Sequence, residues 1–302
     1  MSKLAKEDIA QKYREIQSSI CSKIEKADGA GKFIMDDWKR EQGGGGLTRV
    51  LSEGSVLEKA GVNFSEVHGE LTDLMRKNLK VDADSFFATG VSIVMHPNNP
   101  HVPIIHMNIR YFELDNGTYW FGGGIDLTPH YVNKAQASFF HKKLKEVCDR
   151  YDATYYPKFK KWADDYFFIP HRGETRGIGG IFYDHLSEDE KHSKNDIFKF
   201  SVDLGEIFSE IYTHLIHLNK DKRYSPDEKE WQLLRRGRYV EFNLVYDRGT
   251  KFGLYSNGRT ESILMSLPKQ ANWYYAHEVK EGSAEQKTLA LLRKGIDWAS
   301  QQ

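Results

Sequence analysis

Five arginines, Arg235, Arg236, Arg238, Arg248 and Arg259, fall within 25 positions, with Asp247 among them and apolar residues on either side. Guanidinium groups are planar forks that grip carboxylate or phosphate through two bonds at once, so several of them beside apolar surface suit a bulky ligand carrying several negative charges. The other reading is a sheet edge whose arginines make surface ion pairs. A second constellation lies upstream, where Ser92, His96, His106, Asn108 and Arg110 alternate with Ile93, Met95, Ile105, Met107 and Ile109. Side chains two apart share one face of a strand, so the polar five form one row on a pair of strands whose other face is apolar. That row is either a solvated surface or a site with two histidines and a cation. Asp126 follows three glycines in an otherwise apolar run, which places it for proton chemistry or as the cap of a turn at Thr128-Pro129.

The elements that must hold these groups are legible in part. Residues 235–246 alternate Val240, Phe242, Leu244 and Tyr246 against Tyr239, Glu241, Asn243 and Val245, which predicts a half-buried strand. A turn rich in proline and asparagine at 97–100 joins strands over 86–95 and 104–112. If their partner numbers sum to about 202, Ser92 faces Arg110 and His96 faces His106. Further strands are expected at 33–38, 47–51, 118–127, through Ile181 and Tyr183, and near 273–275. Helices are expected at 3–27, 134–151, 157–168, 189–219 with a break near Gly205, 226–236 and 283–292. The first of these is an amphipathic N-terminal helix within residues 1–31. Strands in hairpin succession with helices in blocks, and no linker or repeat, predict one α+β domain over residues 1–302 with a mostly antiparallel sheet.

Several chemistries lose their footing. Lys plus Arg equals Asp plus Glu at 43 each, so no global field draws nucleic acid or an anionic membrane. There is no Gly-x-Ser-x-Gly elbow, Cys-x-x-Cys, His-Glu-x-x-His or dinucleotide fingerprint, and Gly43–Gly46 lacks the Lys-Ser/Thr of a phosphate loop. No apolar run approaches the ~18 residues of a membrane span. Two cysteines without metal spacing fit a reducing compartment, and a cytoplasmic location is expected.

Five motifs, Gly-Gly-Gly-Gly-Leu-Thr-Arg at 43–49, Glu-Lys-Ala-Gly-Val-Asn-Phe-Ser at 58–65, Trp-Phe-Gly-Gly-Gly-Ile-Asp-Leu-Thr-Pro at 120–129, Arg-Gly-Ile-Gly-Gly at 176–180 and the stretch 235–268, closely resemble the oxygen-dependent coproporphyrinogen III oxidases. The resemblance runs from about residue 32 to the C-terminus. It implies a large sheet flanked by helices on both faces, a homodimer with contacts in 239–274, and dioxygen as co-substrate without an organic cofactor. The implied reaction converts two propionates of coproporphyrinogen III to vinyl groups with loss of carbon dioxide. By the same resemblance His106, Asp126 and Asp247 are catalytic. Ser92, Asn108, Ile109, Arg110, Arg176, Arg248, Asn257, Gly258 and Arg259 hold substrate, while His96, His106, His141 and His171 fall on divalent-metal positions of bacterial members. Eukaryotic-type members, which these motifs resemble more, are described as metal-free. A non-catalytic tetrapyrrole carrier is the alternative, since it would need the arginines but not the acids.

Overall fold

In the computed structural model the described residues are 4–79, 81–255 and 258–301. A helix, α1 (Lys6–Asp28), buries Ile9, Tyr13, Ile16, Ile20 and Ile24, which recur at three and four, and ends where Gly29 turns left-handed with φ 89°. The strands then follow in hairpin order: β1 (Phe33–Lys39), β2 (Gly44–Ser52), β3 (Leu57–Glu70), β4 (Ser85–Pro97), β5 (Ile104–Leu114) and β6 (Tyr119–Thr128), with helix α2 (Asp73–Leu79) between β3 and β4. After α3 (Lys134–Asp149) and α4 (Tyr155–Tyr166), a small pair, β7 (Phe168–Ile169) and β8 (Glu174–Thr175), leads to β9 (Gly180–Leu186). The sheet is seven-stranded and antiparallel throughout, in the order β1-β2-β3-β4-β5-β6-β9. Five helices follow among the described residues: α5 (Lys194–Asn219), α6 (Pro226–Val245), α7 (Arg248–Tyr255), α8 (Thr260–Leu264) and α9 (Ala284–Leu291). The architecture is α+β, as the succession of hairpins and helix blocks predicts.

The two faces of the sheet differ in composition because side chains alternate. One face carries Ala60, Val62, Phe64, Val91, Ile93, Met95, Ile105, Met107, Ile109 and Ile125, and α1, α3 and α5 cover it with Tyr13, Ile16, Phe140, Leu144, Phe200, Leu204 and Phe208. The opposite face is polar and glycine-rich, and α6 and α8 cover only part of it, through Tyr239 against Val94 and His96 and through Met265 against Gly61.

Two expectations fail here for definable reasons. Residues 235–245 are not a strand but the second half of α6. The Ser225 hydroxyl accepts from Glu228 N–H while Glu228 accepts from Ser225 N–H, and Pro226 follows at the first helical position, so a strong start launches a helix 20 residues long. Its buried residues Trp231, Arg235, Arg238, Tyr239 and Phe242 recur at helical spacing, whereas Leu244 and Val245 point outward at 45% and 47% exposure. The apparent alternation arose because apolar residues occupy both sides of this helix. Gly237 at its middle lets the following chain cross closely, since a Cβ there would lie 2.6 Å from the Asn272 carbonyl oxygen.

The second failure is register. Ser92 pairs with Asn108, and Val94 with His106, two residues away from the expected alignment. A two-residue slip keeps every side chain on its own face, so the polar row survives while its neighbours change. Residues 273–275 form no strand, α5 runs through Gly205 unbroken, and α4 begins and ends two residues earlier than expected. The 14-residue β3, which the sequence showed only as a motif, is the longest strand among the described residues.

Candidate active site

Three rows of Cα partners cross the polar face. The first runs Gly61, Val94, His106, Asp126 and Gly180; the second Asn63, Ser92, Asn108, Gly124 and Phe182; the third Ser65, Gly90, Arg110 and Gly122. The second and third rows floor a cavity of about 610 Å³. Its walls are Phe112 and Trp120 from the sheet, Trp162 and Tyr166 from α4, and Arg248 and Phe252 from α7. Phe112 stacks on Trp120 at 4.6 Å, Trp120 on His185 at 4.8 Å, and Tyr166 on Phe182 at 4.3 Å, giving flat apolar surfaces on two sides. A size of this order and a mostly apolar lining with a few convergent polar groups are what a small-molecule site requires.

Arg110 is held before any ligand arrives. Its Nη1 donates to Asn108 Oδ1 at 3.1 Å and its Nη2 lies 3.0 Å from Asp184 Oδ1. Gly122 makes this possible, since a Cβ there would sit 2.6 Å from the Asp184 carboxylate and 2.7 Å from Arg110 Nε. Arg248 reaches the cavity from the first turn of α7, 5.9 Å from the Tyr166 ring centroid, and has no carboxylate partner among the described residues. Asp247 places it: one carboxylate oxygen accepts from the Tyr166 hydroxyl at 2.7 Å and the other from Thr250 N–H at 2.7 Å, capping α7. Burial and the nearby Asp247 charge push the Tyr166 hydroxyl upward, so it stays protonated and donates.

Beneath the cavity, one row along, His106 Nδ1 lies 2.8 Å from Asp126 Oδ1, and Arg176 Nη2 lies 2.6 Å from Asp126 Oδ2. Burial works to raise the Asp126 carboxyl, but the Arg176 charge and the hydrogen bond from His106 outweigh it and hold the group below the usual carboxylate range. Asp126 is therefore ionised and accepts only, which fixes the neutral His106 as the tautomer with its proton on Nδ1. Nε2 then carries the lone pair and has no partner among the described residues. His106 is 26% exposed and Asp126 is 2%. This pair can exchange a proton with a ligand through one nitrogen.

The sequence-expected residues divide accordingly. Ser92, Asn108, Arg110 and Arg248 line the cavity; His106 and Asp126 occupy the adjoining row; Asp247 supports Arg248. The Ile109 side chain is fully buried on the opposite face, leaving only its backbone on this one. Arg176 is enclosed, its side chain 2% exposed. Arg259 pairs with Asp36 on β1 and donates to Ser262 at 3.0 Å, outside the cavity lining. Ser262 is joined to Thr48, and Thr48 to the cavity residue Asn63, by hydrogen bonds of 3.0 and 2.7 Å. Gly258 N–H donates to the Gly253 carbonyl at 2.8 Å, and Asn257 lies outside the described residues. Sequence reasoning missed Asn63, Asp184, Trp162 and Tyr166; Asp184 alternates with the buried Ile181 and Tyr183 in a strand, the same alternation that revealed Arg110.

The four histidines implied as metal ligands do not converge. His96 Nε2 bonds the Ser266 carbonyl at 2.8 Å; His141 lies fully buried in α3, between the Tyr156 hydroxyl at 2.9 Å and the Ile178 carbonyl at 3.0 Å. His171 bonds Tyr246 and Glu241 at 2.7 and 2.8 Å, and His106 is taken by Asp126. Burial drives both His96 and His141 down to about 3, so both are neutral, but each serves the packing around it. Among the described residues no group of three His, Cys, Asp or Glu side chains is placed to hold a metal ion. The donor set does not fit the group.

A larger cavity, about 740 Å³, opens at the far end of the sheet, ringed by Glu7, Glu66, Glu70, Glu113 and Asp115. Its sign is wrong for an anionic ligand.

Comparison with known proteins gives one consistent result. The family model for coproporphyrinogen III oxidase matches residues 8–298. An oxygen-dependent coproporphyrinogen-III oxidase of Drosophila melanogaster is 52% identical over 298 residues, covering 94% of this chain and 76% of that protein. The mitochondrial enzyme of Homo sapiens is 49% identical over 94% of this chain and 65% of its own length, and that of Prochlorococcus marinus (strain AS9601) is 46% identical over 94% and 90%.

Proposed function

The chain belongs to the coproporphyrinogen III oxidase family, and from that premise we infer that it is an oxygen-dependent oxidase that decarboxylates two propionates of coproporphyrinogen III to vinyl groups, a step of haem biosynthesis. The observation that carries this reading from family to chemistry is the cavity itself: Arg110, held ready by Asn108 and Asp184, and Arg248 on its capped helix stand against the aromatic walls of a single hollow. A cyclic tetra-acid needs both. Each conversion removes carbon dioxide, a β-hydrogen and two electrons, and dioxygen is the electron acceptor.

The roles follow from position. Ser92, Asn108, the Ile109 backbone and Arg110 form the floor against which the macrocycle lies, Arg248 takes a propionate, and Arg259 stands outside the lining, joined to the cavity residue Asn63 through Ser262 and Thr48. His106 Nε2 exchanges the proton with substrate while Asp126 holds the ring, and Asp247 fixes Tyr166 and Arg248. Dioxygen supplies the oxidation; the protein supplies binding, exclusion of water and proton transfer. No step is assigned to a metal.

Aerobic incubation of the purified protein with coproporphyrinogen III, followed by chromatography, should give vinyl tetrapyrroles that are absent under nitrogen. Substrate binding without vinyl products in air would leave only a carrier. We also place a homodimer contact on 239–274, which presents Leu244, Val245, Phe252, Leu254, Trp273 and Tyr274 at 41–51% exposure. Sedimentation showing a monomer, or a dimer undisturbed by Leu244→Glu with Trp273→Glu, would remove it. No helix among the described residues is long and apolar enough to cross a membrane. Both cysteines are buried and unpaired, which supports a reducing, cytoplasmic setting. The human and Glycine max relatives are named mitochondrial and chloroplastic, so finding this protein inside an organelle would overturn the cytoplasmic placement.

A further inference from the structure

The geometry assigns Arg176 and Asn243 to a positioning role: together they lock the Asp126 carboxylate that orients His106, and Arg176 does not bind substrate. The assignment rests on the proposed reaction and deepens it. Arg176 approaches from the turn after β8, where its backbone N–H donates to the Phe167 carbonyl at 2.9 Å. Its guanidinium sits inside three aromatic rings, 4.4 Å from the Phe167 centroid, 4.6 Å from Tyr239 and 4.8 Å from Phe242. Nη2 donates to Asp126 Oδ2 at 2.6 Å and Nη1 to Asn243 Oδ1 at 2.7 Å, both buried. Nε is buried without a partner. Both terminal nitrogens are engaged inside the protein, Nε is enclosed, and Arg176 is not among the residues that line the cavity. To grip a propionate it would have to leave its aromatic cage and abandon a buried carboxylate.

What the arrangement does instead is remove freedom. Asp126 has one oxygen on His106 and the other on Arg176, so the carboxylate plane cannot turn about its bond to the chain. Asn243, on α6, fixes the second arm of the fork, and so ties the helix to the sheet row that carries His106. The outermost member, His106, is the only one of the four more than a few per cent exposed. A planar fork held at both arms transmits position in a way that a single ammonium cannot. Displacing a reacting group by about 1 Å costs on the order of a hundredfold in rate.

The test compares Asn243→Leu, Asn243→Asp and Arg176→Lys with the wild type, using coproporphyrinogen III in air. Asn243→Leu removes the acceptor at similar volume and Arg176→Lys removes the fork; each should lower kcat about tenfold to hundredfold with KM within about twofold. Asn243→Asp keeps an acceptor for Nη1 and should retain kcat within about threefold of wild type. A packing role alone predicts the reverse, since the apolar leucine would then be the milder change. If one of the kcat-lowering variants does not fold, the other carries the same prediction. The second readout is the proton resonance of His106 Nδ1–H in 15N-histidine-labelled protein, identified by its absence in His106→Asn; it should move upfield in Asn243→Leu and in Arg176→Lys. A rise in KM with kcat unchanged would make Arg176 a substrate ligand, and unchanged kinetics with an unmoved resonance would remove the role. If the wild type fails to turn over coproporphyrinogen III, the proposed reaction falls, while the resonance still decides whether Arg176 and Asn243 position His106.

Discussion

The arginines of α6 and those of the cavity look alike in sequence and live in opposite circumstances. Arg235 meets Glu174 at 2.8 Å, Arg238 meets Glu241 at 3.1 Å, and Arg236, fully buried, meets Glu58 at 2.5 Å and the Pro97 carbonyl at 2.8 Å. Every one of these charges is committed to the protein's own carboxylates. Arg110 is paired too, but at 37% exposure and beside a cavity, and Arg248 has no carboxylate partner among the described residues. The lesson is that a guanidinium becomes a ligand-binding group when the fold leaves it a face to offer. Clustering in the chain does not settle that, because a helix turns successive arginines in different directions.

The largest effect that could break this comparison is on stability. Arg236→Met strands the half-buried Glu58 carboxylate, 14% exposed, and should cost about 2–4 kcal/mol in denaturant unfolding, with kcat/KM per folded molecule unchanged. Adding Glu58→Met should recover much of that loss, because the penalty lies in the stranded charge. A single variant as stable as wild type would show that the α6 ion pairs do not hold the fold. Arg110→Ala should do the opposite. Its melting temperature should stay close to wild type, while kcat/KM falls about tenfold to hundredfold, the range expected when a hydrogen bond to a charged group is lost. Equal kcat/KM would take Arg110 out of the site and leave Arg248 as the cavity's working cation.

How much of this was legible depends on the element. The hairpin of β4 and β5 could be read because a buried face imposes strict alternation, and that alternation already put Ser92, His106, Asn108 and Arg110 on one side. Its register could not, since the chain turns at Asn98–His101, where Asn99 Oδ1 accepts from His101 N–H and the Asn99 carbonyl accepts from Val102 N–H, a turn whose length no pattern of strand residues specifies. The segment 239–245 misled because outward Leu244 and Val245 mimic a second strand face. The start signal that settles the matter, Ser225 with Glu228, lies more than ten residues away. The enclosure of Arg176 was beyond reach for another reason: its cage draws Phe167 from the end of α4 and Tyr239 and Phe242 from α6, and no local pattern brings those together. Motif resemblance pointed to this region; only the tertiary contacts separated the residues that line the cavity from those enclosed beside it.

Arg259 is where the comparison is sharpest and the expected effect smallest. It pairs with Asp36 at a half-exposed surface, with side chains 30% and 50% exposed, so Arg259→Ala should change stability by less than about 1 kcal/mol. Its consequence for substrate depends on which group of arginines it joins. As a ligand-binding group it must exchange Asp36 for a propionate, and Asp36→Asn should then lower KM by freeing it while Arg259→Ala raises KM several-fold. As a structural group, neither substitution should move KM, and Asp36→Asn should simply loosen β1 at the sheet edge. Measuring KM for the two single variants side by side therefore assigns Arg259, since only a guanidinium shared between an internal carboxylate and the substrate makes the two substitutions act in opposite directions.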